Sequence, residues 1–149
     1  MTRHFLTLLD LGADGLLEVL EQGAELARLR GRPDHPKPLA EKSVAILLEK
    51  ASTRTRLSFE VGIFELGGLP LTLISRETQM GRGEPLEDTA RMLSRYCHAV
   101  VYRTFGHERV ETLAESGTIP VINGLSDEYH PCQLLADLMT VRQHVRPEL

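Results

Sequence analysis

The run Ser52-Thr53-Arg54-Thr55-Arg56 sets three hydroxyls and two guanidinium groups on five consecutive residues. It follows an apolar stretch and leads into Leu57, Val61 and Phe64, whose spacing predicts a helix. The first N–H groups of a helix lack intrahelical acceptors and sit at the positive end of its dipole, so this segment suits an anion such as a phosphate dianion. Arg54 or Arg56 can hold two phosphate oxygens in a fork while hydroxyls and amides satisfy the rest. The competing reading is that Ser52 only caps the helix and both arginines are solvated.

Two further groups qualify. Arg103 follows a short apolar run, where it either serves a ligand or lies on the surface beside an acidic neighbour. His130-Pro131-Cys132-Gln133 precedes the last apolar-periodic stretch, which puts an imidazole and a carboxamide near a helix start with Pro131 at its first position. Of the six histidines, His130 is singled out by these neighbours; the plainer reading is a histidine in a turn leading into a helix.

Other chemistries find no support. Gly62 to Gly67 is followed by Gly68 and Leu69 instead of the Lys and hydroxyl of a P-loop. Gly81-Arg82-Gly83 lacks the third glycine and the helix of a dinucleotide fingerprint. Gly124 to Glu128 starts like a nucleophile elbow without its closing glycine, which argues against covalent serine catalysis. Cys97 and Cys132 form no Cys-x-x-Cys pair and read as free thiols, with no metal cluster implied. A net charge of −4, with no tryptophan, three tyrosines and four phenylalanines, argues against a nucleic-acid surface. Apolar runs such as Val44 to Leu48 are too short to span a bilayer, and the N-terminus opens no signal-peptide core, so the expected location is cytoplasmic.

The elements that must position these groups follow from hydrophobic periodicity. A first amphipathic helix runs from Gly15 to about Arg28, and the three prolines between Gly31 and Pro38 mark a surface connection. Ser43 to Leu48 is apolar without alternation, the pattern of a strand buried on both faces. A helix from the Ser52 segment stops at Gly67-Gly68, and the unit repeats: strand Leu69 to Ile74, helix Leu86 to about Tyr96, strand Ala99 to Tyr102, helix His107 to Ser116. Pro120 to Asn123 is a fourth short strand, and Leu134 to Met139 mark a last helix.

This alternation predicts an α/β fold, a three-layer doubly wound domain with a four-stranded parallel sheet, spanning residues 1–149. Its 149 residues suffice for one core without disulfide or metal staples. Ligands bind such sheets outside the carboxyl ends of the strands. The polar segments after each strand, Ser52 to Arg56, Ser75 to Glu84, Arg103-Thr104 and Gly124 to Gln133, should therefore converge.

Taken together, Ser52 to Arg56, the loop Gln79-Met80-Gly81-Arg82-Gly83-Glu84, Tyr102-Arg103 and Asp127 to Gln133 resemble the carbamoyltransferases in type, order and spacing. Cys132 between Pro131 and Gln133, with Leu135-Ala136-Asp137 beyond, resembles the ornithine-using branch more than the aspartate-using one. The resemblance implies transfer of a carbamoyl group from carbamoyl phosphate to ornithine, a step of arginine metabolism, with no cofactor and no metal. By resemblance Ser52, Thr53, Arg54 and Thr55 hold the phosphate, and Arg103, His130 and Gln133 surround the carbamoyl group. Arg103, neutral His130 and the Thr55 hydroxyl would stabilise the developing oxyanion. It also implies a homotrimer in which Gln79 reaches the neighbouring subunit's site. The family's second, amino-acid-binding domain is not in these 149 residues, so the expectation is a half that binds carbamoyl phosphate or phosphate without turnover. A non-catalytic anion-binding or assembly domain, or a carbamoyltransferase for another amine such as aspartate, are the alternatives.

Overall fold

A computed structural model describes residues 2–145. Helix α1 (Gly12–Leu29) precedes strand β1 (Ser43–Leu48), and the alternation continues through α2 (Thr53–Glu65), β2 (Leu69–Ile74), α3 (Leu86–Tyr96), β3 (Ala99–Arg103), α4 (His107–Ser116), β4 (Val121–Leu125) and α5 (Pro131–His144). The four strands form one sheet in the order β2-β1-β3-β4, every pair parallel. The fold class expected from the sequence is observed.

Strand β1 sits between two neighbours and is covered on both sides, so all residues from Val44 to Leu48 are buried. Its side chains alternate between two cores. Ala45 and Leu47 pack with Leu86, Leu93, Val110 and Leu113 of α3 and α4, whereas Val44, Ile46 and Leu48 pack with Ile63 of α2 and Val101 of β3. The absence of polar alternation in the sequence follows directly from this double cover.

Helix α1 begins at Gly12, three residues before the expected Gly15, because its first turn is small or polar and carries no apolar period. The fourth strand runs Val121–Leu125 instead of Pro120 to Asn123. Proline has no N–H for the ladder, although the Pro120 carbonyl still accepts from Val100 N at 2.9 Å. The outer edge of β4 is covered by the N-terminal segment: Phe5 N donates to Val121 O and Asn123 N to Phe5 O, both at 2.8 Å.

Candidate functional site

The chain moves from β1 to β2 on one side of the sheet and then crosses to β3 on the other, so the winding reverses between β1 and β3. Their carboxyl ends, Leu48 and Arg103, stand opposite each other in register. Open α/β sheets place ligands at this switch point. A cavity of about 850 Å³ opens there, and Ser52, Arg54, Thr55, Arg103, His130 and Gln133 contribute to its wall.

One wall is the amino end of α2. Ser52 is extended, and its hydroxyl accepts from Thr55 N at 3.2 Å, so the capping role considered from the sequence is observed. That bond occupies the third N–H of the helix and leaves those of Thr53 and Arg54 without intrahelical acceptors. Arg54 is exposed on the cavity side and makes no ion pair among the described residues, so its charge is not neutralised.

Arg103 supplies the opposite wall. Its Nη1 donates to Thr55 Oγ1 at 3.1 Å, while its Nε is buried with no acceptor. Burial, and then the nearby charge of Arg54, hold its guanidinium below the ordinary arginine range. Two uncompensated cations on facing walls create a strong local preference for an anion.

The third wall is the start of α5. His130 is its N-cap, with a carbonyl that accepts from Gln133 N at 3.1 Å and Leu134 N at 3.2 Å; Pro131 takes the first helical position, as expected. His130 Nδ1 is buried and unpartnered. Burial first, and then Arg103, hold this imidazole below 6.5, with Asp137 acting in the opposite direction, so the ring is neutral at pH 7. Gln133 donates through Nε2 to Asp137 Oδ1 at 2.9 Å, which leaves its Oε1 available as an acceptor. The Cys132 thiol donates to Asn123 O at 3.5 Å and is pushed by burial to about 11, so it is no nucleophile at neutral pH.

The loop between β4 and α5 is held by groups that hydrophobic patterning did not single out. Buried Ser126 accepts from Tyr129 N at 3.2 Å, and its hydroxyl lies 3.0 Å from His107 Nδ1. His107 N donates to Glu128 Oε2 at 2.8 Å, and its ring meets Tyr129 edge-on at 4.6 Å. Gly124 has a local role: a Cβ there would meet Val101 Cγ1 at 3.1 Å and Tyr102 O at 3.3 Å, beside the bulge that pairs Arg103 with Leu125.

The expected convergence is partial. Arg56 turns away from this cavity: its Nε donates to Glu60 Oε1 at 2.9 Å, and Glu60 also accepts from Thr72 at 2.6 Å. It lines a separate cavity of about 500 Å³ together with Thr53, Glu49, Glu60 and Arg76. The Thr53 side chain is therefore not on the wall of the larger cavity. In the Ser75 to Glu84 segment, Gln79 lines a third cavity with Met80, Arg82 and Glu84. The four polar segments do not all meet; three of them do.

Sequence reasoning also missed Glu49 and Arg109, and it named Thr104 only as part of the segment after β3. Arg109 donates to Glu49 through Nη2 at 2.6 Å and Nε at 3.1 Å, and the Thr104 hydroxyl bonds the same carboxylate. The available signal was an acidic residue immediately after a fully apolar strand, a place where a carboxylate needs a partner. Among the described residues no group of three or more His, Cys, Asp and Glu is placed to hold a metal ion. No described helix is long and apolar enough to cross a membrane.

The family model for the aspartate/ornithine carbamoyltransferase carbamoyl-P binding domain matches residues 3–143. The chain belongs to the aspartate/ornithine carbamoyltransferase family. Within that family it is 55% identical over 144 residues to an ornithine carbamoyltransferase of Acidothermus cellulolyticus, covering 96% of this chain and 45% of that one. Its fold superposes on an ornithine carbamoyltransferase of Burkholderia thailandensis with a TM-score of 0.91 and 45% identity, over 97% of this chain and 50% of that one. The catalytic subunit of M. jannaschii aspartate transcarbamoylase gives a TM-score of 0.88 at 31% identity, over 97% of this chain and 48% of that one. The chain thus spans about half the length of the curated relatives it matches.

Proposed function

We propose that these residues are the carbamoyl phosphate-binding half of an ornithine carbamoyltransferase, which converts carbamoyl phosphate and L-ornithine to L-citrulline and phosphate within arginine metabolism. The observation that carries this reading is the cavity in which Arg54 and Arg103 converge without a counter-ion beside the open N–H groups of α2, while Arg103 Nε and His130 Nδ1 lack partners. A phosphate dianion with a planar, polar acyl group supplies both the charge and the acceptors that such a site lacks.

In this reading the ornithine amine attacks the carbamoyl carbon, negative charge grows on the carbonyl oxygen, and the C–O bond to phosphate breaks as the amine loses a proton. The side chains of Ser52, Arg54 and Thr55 and the N–H groups of Thr53 and Arg54 receive the phosphate. Because Thr55 Oγ1 accepts from Arg103, its own proton is free to point at the carbamoyl oxygen, which Arg103 and neutral His130 also stabilise. Gln133, whose Nε2 is bound to Asp137, presents Oε1 to the carbamoyl NH2. Gln79 serves a neighbouring subunit's site in a homotrimer, consistent with its separation from its own site. In this reading the amine-binding groups are not among these residues.

A calorimetric titration with carbamoyl phosphate, with inorganic phosphate as comparison and sedimentation to count subunits, tests this reading. Saturable binding that favours carbamoyl phosphate is expected, with no citrulline formed from ornithine by the 149 residues alone. A folded protein that binds neither ligand overturns it. Transfer to aspartate in preference to ornithine once an amine-binding half is supplied would shift the assignment to the other branch of the family.

A further inference from the structure

We propose that Glu49 and Arg109 are a positioning pair that fixes Arg103 in the anion site and cancels the acidic charge next to it; this rests on the carbamoyl phosphate reading above. Glu49 is the first residue after β1, and its side chain is only 9% exposed. Its N–H donates to Arg103 O at 2.9 Å, while its carboxylate bonds the hydroxyl of Thr104, the residue that follows Arg103 and is itself fully buried. Arg103 is thereby held by its own carbonyl, by its successor's hydroxyl and, at its guanidinium, by Thr55.

The charge placement is equally specific. Glu49 lies three residues before Ser52, at the base of the loop that carries the phosphate-facing groups. An uncompensated carboxylate there would oppose the anion that Arg54 and Arg103 attract. Arg109, from the first turn of α4, closes a two-pronged fork on it and does not itself line the wall. Its hydrogen bonds to Glu49 hold the Arg109 guanidinium above the ordinary arginine range. Arg109 therefore acts on a ligand only through Glu49 and Thr104.

The test uses the full 149-residue chain with Arg109→Met and Arg109→Lys. Arg109→Met is expected to weaken carbamoyl phosphate binding by about tenfold or more, the scale on which small misplacements of positioned groups are felt. Arg109→Lys, which restores the charge without the fork, is expected to recover part of that loss. The second readout is the side-chain Nε–Hε NMR signal of Arg103 in the ligand-free protein, assigned by its disappearance in Arg103→Lys, and it is expected to move in both variants. An unmoved Arg103 signal with wild-type affinity overturns the proposal. A wild-type chain that binds no carbamoyl phosphate overturns the functional reading instead, and the ligand-free Arg103 signal then decides the pair on its own.

Discussion

Arg103 Nη1 donates to Thr55 Oγ1 at 3.1 Å, and this bond joins the end of β3 to the first turn of α2 across the point where the sheet reverses its winding. The two residues are 48 positions apart. Their contact makes the two walls of the cavity one unit, so loss of either group should change what the other contributes. A double-mutant cycle on carbamoyl phosphate affinity with Thr55→Val and Arg103→Lys should give a coupling of about 0.5–3 kcal/mol, the range for residues in one network. Additive effects would mean that the walls act independently.

Arg54 has no acidic partner among the described residues, so its charge is available to a ligand. Arg54→Ala should weaken phosphate binding by roughly 1.5–3 kcal/mol, or about 10- to 150-fold. Titration calorimetry checks this, and Arg56→Ala is the control with little effect, because Arg56 is engaged by Glu60.

Gln133→Ala should lower the preference for carbamoyl phosphate over inorganic phosphate. Only the former has an NH2 for Gln133 Oε1 to accept from, and a neutral hydrogen bond of this kind contributes about 0.5–1.5 kcal/mol. Equal losses for both ligands would place Gln133 against the phosphate.

His130 gives a pH prediction with a definite sign. Its imidazole is held below 6.5 in the folded protein, chiefly by burial and then by Arg103, so the unfolded chain binds the proton first. The stability it contributes is complete above the unfolded value of about 6.5 and is lost as pH falls toward the lower folded value. The fall in Tm between neutral and mildly acidic pH should be shallower in His130→Asn than in the wild type. An identical slope in both would show that His130 titrates freely.

Gly124→Ala forces a Cβ toward Val101 Cγ1 and Tyr102 O in a buried strand. Overpacking of this type costs about 1–3 kcal/mol, which urea denaturation will measure. Because the next loop carries His130, phosphate affinity should fall with stability.

Much of this was legible in the sequence because its causes are local. Strand β2 and helix α4 have the bounds that their apolar spacing predicts, and β1 announces its double burial by lacking polar alternation. The difference between Arg54 and Arg56 was less visible. Two residues along a helix are rotated by about 200°, so neighbours of one type face opposite sides, and only the surrounding packing says which side holds the ligand. Least legible were pairings over long separations. Arg109 and Glu49 are 60 positions apart, and nothing in either residue's own neighbourhood names the other.

The parallel bridge of Phe5 with Ile122 bears on how the molecule is made. Phe5 precedes all four strands along the chain yet is seated on β4, the last of the four, so during synthesis this segment stays unplaced until β4 has formed. Phe5 also lines the cavity of about 850 Å³, and the neighbouring Leu6 carbonyl accepts from Asn123 Nδ2 at 2.9 Å. This cavity is thus closed only after all four strands have been made, and a change at Phe5 or Leu6 would reach it directly.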